Sequence, residues 1–238
     1  MRPVSKKQNF ETVARVATYL QDLVDEVVFV GGSSAALLIT DEDIVTVRQT
    51  LDVDVIVEVL NLPEYYLFEK RLRKLGFEPD PEGPICRFLI GGIKVDVMPD
   101  DEDIVGFSND WYQTAIDTAE KHSIGDIEIR VVSAPLFLAT KLEAYHGRGE
   151  SDYLGSHDME DILAVVDGRP TIIRDCFNAP DDVKGYLHDN FAALIADDEF
   201  INVLPGFVDP SGGSARAEVI RDRLQGLVNS LGSSESVT

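Results

Sequence analysis

Leu51-Asp52-Val53-Asp54-Val55-Ile56-Val57-Glu58-Val59-Leu60 alternates with a period of two. Leu51, Val53, Val55, Val57 and Val59 fall on one face, and Asp52, Asp54, Ile56 and Glu58 on the other. That predicts a strand with an apolar face and a polar end. The same period sends the side chains of Asp52 and Asp54 out of one face.

Working outward, Phe10, Val13, Val16, Ala17, Leu20, Leu23 and Val24 recur at helical spacing, so an amphipathic helix is predicted from Phe10 to about Val24. Val27-Val28-Phe29-Val30 follows as a short buried strand. It runs into Gly31-Gly32-Ser33-Ser34 and a short helix over Ala35–Ile39, which makes a strand, a glycine turn and a helix. On the C-terminal side, Pro63 opens a helix that runs to about Leu75 and stops at Gly76. Arg87–Ile90 and Ile93–Met98, joined by Gly91-Gly92, read as a hairpin with a two-residue turn. Pro99–Asp103 reads as an acidic exit loop, and Ile127–Val132 as a further strand. From Ala134 onward the pattern is helical: Leu136–Tyr145, a helix from His157 to Val166 capped by Ser156, Pro180–Ala196 and Ala215–Leu231, with a loop at Pro210–Gly213. The predicted class is α+β, a mixed sheet flanked by helices with a C-terminal helical region. Its parts are a core over 1–133, a helical region packed on it over 134–231, and a flexible tail over 232–238.

With 238 residues, 44% of them hydrophobic, the chain is long enough for one sizeable core, or for one core plus a small helical appendage. Its net charge is −22 and the acidity is spread over both halves, which argues against a protein that coats nucleic acid by broad phosphate neutralisation. Two cysteines, Cys86 and Cys176, rule out a disulfide scaffold and a Cys-rich zinc site. The basic start, Met1–Lys7, lacks the apolar run of a signal peptide, and no stretch approaches 18 consecutive apolar residues. The expectation is therefore a cytoplasmic protein that does not cross a membrane.

Asp96 lies in Val95-Asp96-Val97, the same apolar–acid–apolar pattern, on a hairpin strand. If that strand pairs with the one carrying Asp52 and Asp54, three carboxylates converge. Two bare carboxylates 4 Å apart repel by roughly 4 kcal/mol at an effective dielectric of 20. Three of them among valines are therefore costly unless a cation or protons compensate. Carboxylate oxygens suit Mg²⁺, which commonly binds one or two carboxylates together with substrate phosphates. The glycine turn fits the same demand. Gly31 and Gly32 let backbone N–H groups approach phosphate oxygens, Ser33 adds a hydroxyl, and the following helix N-terminus favours anions. Neither a dinucleotide fingerprint nor a P-loop is present.

These residues together resemble the DNA-polymerase-β-like nucleotidyltransferase superfamily: Val30-Gly31-Gly32-Ser33, then Asp52-Val53-Asp54, then Val95-Asp96-Val97. Arg48-Gln49-Thr50-Leu51-Asp52-Val53-Asp54 is similar to the Arg-x-[Ser/Thr]-x-Asp-x-Asp form of its abortive-infection, AbiEii-type branch, which includes toxins of toxin–antitoxin pairs. Thr140–Arg148 and Ser156–Asp161 resemble that branch's later motif, with His157 where the motif often has Lys. The resemblance covers about residues 26 to 168.

It implies a nucleotidyltransferase-type mixed sheet and a Mg²⁺-dependent enzyme that moves a nucleoside monophosphate from an NTP to an acceptor hydroxyl. Asp52, Asp54 and Asp96 would hold the metal. Asp96 would also help to deprotonate the acceptor. Gly31, Gly32, Ser33, Arg48 and Arg148 would bind the nucleotide, and Lys141 and Asp158 would join the catalytic set, with Asp158 orienting Lys141 or Arg148. The competing reading of that last group is a surface salt bridge between helices. The implied acceptor is tRNA, a protein hydroxyl or a small molecule, and the implied partner an antitoxin. RNA would have to be gripped by Lys70-Arg71-Leu72-Arg73-Lys74, helped by Arg87, Lys94 and the active-site cations. Such a run is otherwise a solvated helix face. Trp111 and Tyr112 either pack a helix onto the sheet or stack a base. The alternative function is a catalytically silent nucleotide-binding or antitoxin-like partner protein.

Overall fold

A computed structural model describes residues 3–44, 46–59, 61–106, 108–148, 152–208 and 213–232. The chain forms two compact units. One comprises Met1–Leu37 and Val45–Ser133, the other Leu38–Ile44 and Ala134–Thr238.

The first unit is built on a sheet. Its elements are β1 (Pro3–Ser5), α1 (Lys6–Leu20), β2 (Val27–Val30), α2 (Gly31–Leu38, whose last residue belongs to the second unit), β3 (Thr46–Arg48), β4 (Asp52–Val57), α3 (Leu62–Lys74), β5 (Glu78–Pro79), β6 (Arg87–Ile90), β7 (Ile93–Pro99), α4 (Glu102–Val105), α5 (Tyr112–Asp117), β8 (Glu120–Ile124) and β9 (Ile127–Val131). Among the described residues, seven strands form a sheet in the order β5-β6-β7-β4-β2-β9-β8, and β1 pairs with β3 separately. The sheet is mixed: β4 runs parallel to β7 and β2 parallel to β9, whereas β2 and β4 are antiparallel. Val53, Val55, Val95 and Val97 are fully buried, as the alternation requires.

Local chemistry accounts for the boundaries. Helix α1 starts earlier than its apolar spacing suggests, because Ser5 and Gln8 form a capping box. It ends at Leu20, and a 3-10 turn over Gln21–Glu26 carries the chain into β2. Phe10, expected on the buried face, is partly exposed. Asn61 caps α3, with Pro63 in its first turn. The Gly91-Gly92 turn has both residues at positive φ, 55° and 78°, so the hairpin closes in two residues. The expected acidic loop after β7 becomes a short helix at Glu102, because Asp101 accepts the Asp103 N–H. Strand β8 escaped sequence reading: Glu-Lys-His-Ser-Ile is a polar edge strand without an alternating apolar face.

The second unit is helical: α6 (Ala134–Gly147), α7 (His157–Gly168), α8 (Ile172–Phe177), α9 (Asp181–Ala196), α10 (Asp198–Val203) and α11 (Gly213–Gly232). α6 is buried over most of its surface, α7 is capped by the Ser156 hydroxyl, and α11 packs along α9. The segment Leu38–Ile44 is tied into this unit. The N–H groups of Thr40 and Asp41 both donate to the Gly168 carbonyl at 2.9 Å, and Arg216 reaches Asp41 at 3.1 Å. Gly232, expected to start the tail, closes α11. Residues 233–238, the expected loop at 210–212 and the expected strand end at Leu60 lie outside the described residues.

Candidate metal centre

Strand register assembles the site. Asp54 stands opposite Asp96 across the parallel β4–β7 ladder, and Arg87 stands opposite Asp96 across the β6–β7 hairpin. Residues paired across a ladder share a face, and Asp52 is two residues from Asp54, so the three carboxylates and Arg87 emerge together. One carboxylate oxygen from each of Asp52, Asp54 and Asp96 lies within 4.8 Å of the other two. Asp96 is buried, while Asp52 and Asp54 are half-buried.

The glycine turn abuts this cluster. Gly31 has φ +67°, and a Cβ there would overlap the Asp54 carboxylate, so only glycine allows β4 to bring that acid against the turn. Gly32 is buried in the first turn of α2. Ser33 is fully buried and its Oγ meets no partner, and Ser34 donates to the Val30 carbonyl at 2.7 Å. With the Ser33 hydroxyl sealed from solvent, the donors left for an anion at this turn are backbone N–H groups.

Arg87 was not expected in the cluster. Its Nε donates to Asp96 Oδ1 at 2.7 Å and its Nη2 to Asp96 Oδ2 at 2.6 Å, with Asp52 Oδ2 at 3.3 Å from the same Nη2. This is the two-pronged geometry that a guanidinium makes with a carboxylate. The signal was present in the sequence, because a two-residue turn at Gly91-Gly92 forces Arg87 opposite Asp96. Lys94 stands opposite Asp52 on the same face, is exposed, and makes no ion pair among the described residues. Cys86, next to Arg87, is buried. Burial, followed by the charge of Asp96, pushes its thiol up to about 12, so it supplies no thiolate.

The other expected site residues belong to other elements. Arg48 is on β3, paired with Pro3, and its carbonyl accepts from Asn9 at 2.9 Å. Lys141, Asp158 and Arg148 come together in the helical unit. The Lys141 ammonium lies 2.9 Å from Asp158 and 2.8 Å from Asp161, both acids being 3% exposed, and the second Asp158 oxygen takes Arg148. Asp158 thus orients both cations, and the bridge between α6 and α7 is buried at Lys141 rather than superficial. Burial alone would lower the Lys141 pKa. The charges and hydrogen bonds of Asp161 and Asp158 outweigh it and hold the group above its ordinary range. Of the candidate aromatic pair, the Tyr112 hydroxyl contacts Met98 Sδ at 3.3 Å, which packs α5 against β7. In the basic run of α3, Arg71 is clamped by Glu26 through two hydrogen bonds, 2.5 and 2.6 Å long.

The trio fits a divalent cation. It offers hard oxygen donors at coordination spacing, with an excess of negative charge, beside a glycine cradle. No helix among the described residues is long and apolar enough to cross a membrane.

No family model matches the sequence, and no curated protein matches it. Among solved structures, the chain is similar to an antigenic nucleotidyltransferase-like protein from Paracoccidioides brasiliensis. The identity is 19%, the match covers 81% of this chain and 91% of that one, and the TM-score is 0.47.

Proposed function

We propose that the chain is a Mg²⁺-dependent nucleotidyltransferase that transfers a nucleoside monophosphate from an NTP to an acceptor hydroxyl. The observation that carries this reading is the convergence of Asp52, Asp54 and Asp96 on one sheet face against the Gly31 turn. When bound, the ion neutralises the triphosphate and polarises the phosphorus under attack. The chain's own part is positional. Asp52, Asp54 and Asp96 hold the ion, Gly31 and Gly32 open backbone donors to the phosphates, and Lys94 offers an uncommitted ammonium on the same face. The acceptor oxygen bonds to the α-phosphorus, the bond to the β-phosphate bridge breaks, and pyrophosphate leaves. The hydroxyl proton goes to a carboxylate of the trio or to water.

The phosphate-binding roles that the family resemblance implies for Arg48, Lys141 and Arg148, with Asp158 as the orienting acid, belong to this proposal. So do the AbiEii-type, toxin-like character, a tRNA or protein acceptor, an antitoxin partner and a cytoplasmic setting. The test is incubation with Mg²⁺, each α-labelled NTP and total cell extract. Pyrophosphate release and label entering RNA, protein or small molecules are read out, with Asp54→Asn as the control. Wild-type turnover by Asp54→Asn would sink the assignment. A nucleotide-binding protein without turnover is the second reading. It is favoured by the grip of Arg87 on both oxygens of Asp96, and the same assay separates the two.

A further inference from the structure

We propose that the segment Leu38–Ile44 is a strap that holds the far end of α2, and that Arg216 is the positioning residue that keeps the strap, and through α2 the Gly31 turn, in place. The proposal rests on the reading of that turn as a phosphate cradle and adds to it what holds the cradle still.

Helix α2 is tied differently at its two ends. At its first residue, Gly31 stands at positive φ against the Asp54 carboxylate, where a Cβ has no room. At its last, the Leu38 carbonyl accepts from Arg169 Nη1 at 3.1 Å. The helix has eight residues and is only about 12 Å long, so its two ends do not shift independently. Beyond Leu38 the chain is held by partners in the helical unit. The Gly168 carbonyl, which ends α7, accepts the N–H groups of both Thr40 and Asp41 at 2.9 Å. The last carbonyls of a helix have no partner within it, so the strap completes α7 while α7 holds the strap. Gly168 also lets Ile39 lie against the helix: an added Cβ would stand 2.6 Å from Ile39 Cγ2 and 2.8 Å from its Cγ1. Arg216 closes the arrangement from α11. Its Nη2 donates to Asp41 Oδ2 at 3.1 Å and to the Asp167 carbonyl at 3.3 Å, and its Nε donates to Asp167 Oδ2 at 2.9 Å. One guanidinium thus bridges the strap and the end of α7, between two acids whose charges repel each other. Without it the strap keeps its two backbone bonds and loses its side-chain anchor.

The test is hydrogen–deuterium exchange of the full chain, Arg216→Gln against wild type, without any ligand. The variant is expected to exchange about tenfold faster both over Leu38–Ile44 and over α2, with α6 unchanged. Faster exchange confined to Leu38–Ile44 makes the strap a local tie and overturns the proposal. Equal acceleration in α6 makes Arg216 a general support of the fold and overturns it too, as does no acceleration at all. Binding of inorganic tripolyphosphate with Mg²⁺, followed by titration calorimetry, is the second readout. Arg216→Gln is expected to bind it about tenfold more weakly than wild type, as the loss of a preorganised turn does. Equal affinity overturns the proposal. No binding by wild type overturns the cradle reading instead, and the strap is then decided by exchange alone, which separates the two failures. If Arg216→Gln does not fold, Gly168→Ala takes its place. It keeps every charge but displaces Ile39, and is expected to accelerate exchange over α2 in the same way, unchanged exchange there counting against the proposal.

Discussion

Two of the charged clusters among the described residues look alike on paper and differ in physics. On the sheet, Asp52, Asp54 and Asp96 converge, Arg87 is bonded to Asp52 and Asp96, and Asp52 and Asp54 are half-buried. In the helical unit, Asp158 and Asp161 face Lys141 and Arg148, both acids are 3% exposed, and the charges cancel. The acids of the helical cluster are buried and bonded to cations, which ties α6 to α7. The half-exposed acids of the sheet cluster stay within reach of a cation, which the proposed chemistry requires.

Four substitutions probe that contrast. Asp54→Asn should lose transfer by about 10³-fold, the equivalent of the several kcal/mol that a bound ion supplies to phosphoryl chemistry. Its urea midpoint in metal-free buffer should be unchanged or higher, since one repelling carboxylate is gone. A large loss of stability would mean that the sheet cluster is structural after all. Asp158→Ala should do the opposite to stability. It removes the acid shared by Lys141 and Arg148 and should cost about 3 kcal/mol in urea unfolding, as breaking a buried pair does.

Lys141→Met tests the same cluster by pH. The folded pKa of Lys141 is raised, so its stabilisation is fully present below the unfolded value of about 10.4 and is lost as pH rises through the higher folded value. The stability gap between wild type and Lys141→Met should therefore stay flat between about pH 8 and 10. Above that window it should narrow by at most about 1.4 kcal/mol per pH unit. A gap that closes below pH 8 would contradict the ion-pair assignment. Arg148→Ala is the mildest change. The arginine is 71% exposed, and its loss should cost less than about 1 kcal/mol by the same urea measurement.

Much of this was legible from residue order, for a physical reason that differs from element to element. Strands β2, β4 and β7 are central and valine-rich, so β2 reads as an unbroken apolar run and β4 and β7 alternate. Edge strand β8 is polar and gave no periodic signal. The helix after β2 was visible only from Ala35, although it begins at Gly31, because a glycine at positive φ at its first position has no propensity signature. Arg87 is the instructive case. Sequence reading placed it among the cations of an RNA grip, yet the hairpin that was already recognised pairs it with Asp96. Ser33 is the converse. Its position after the glycines suggested a phosphate contact, but packing seals its hydroxyl.

By itself, the order of residues determined that Asp52 and Asp54 share a face, that Gly91-Gly92 closes a hairpin, and that an acid sits on the returning strand, since all three follow from periods of two and turn lengths along the backbone. Only the tertiary structure decided that β7 lies beside β4 in parallel with Asp96 opposite Asp54, that Gly31 leaves room for a carboxylate, and that Lys141 is closed off between two acids. Those depend on which distant strands and helices become neighbours, and no local periodicity along a chain encodes that choice.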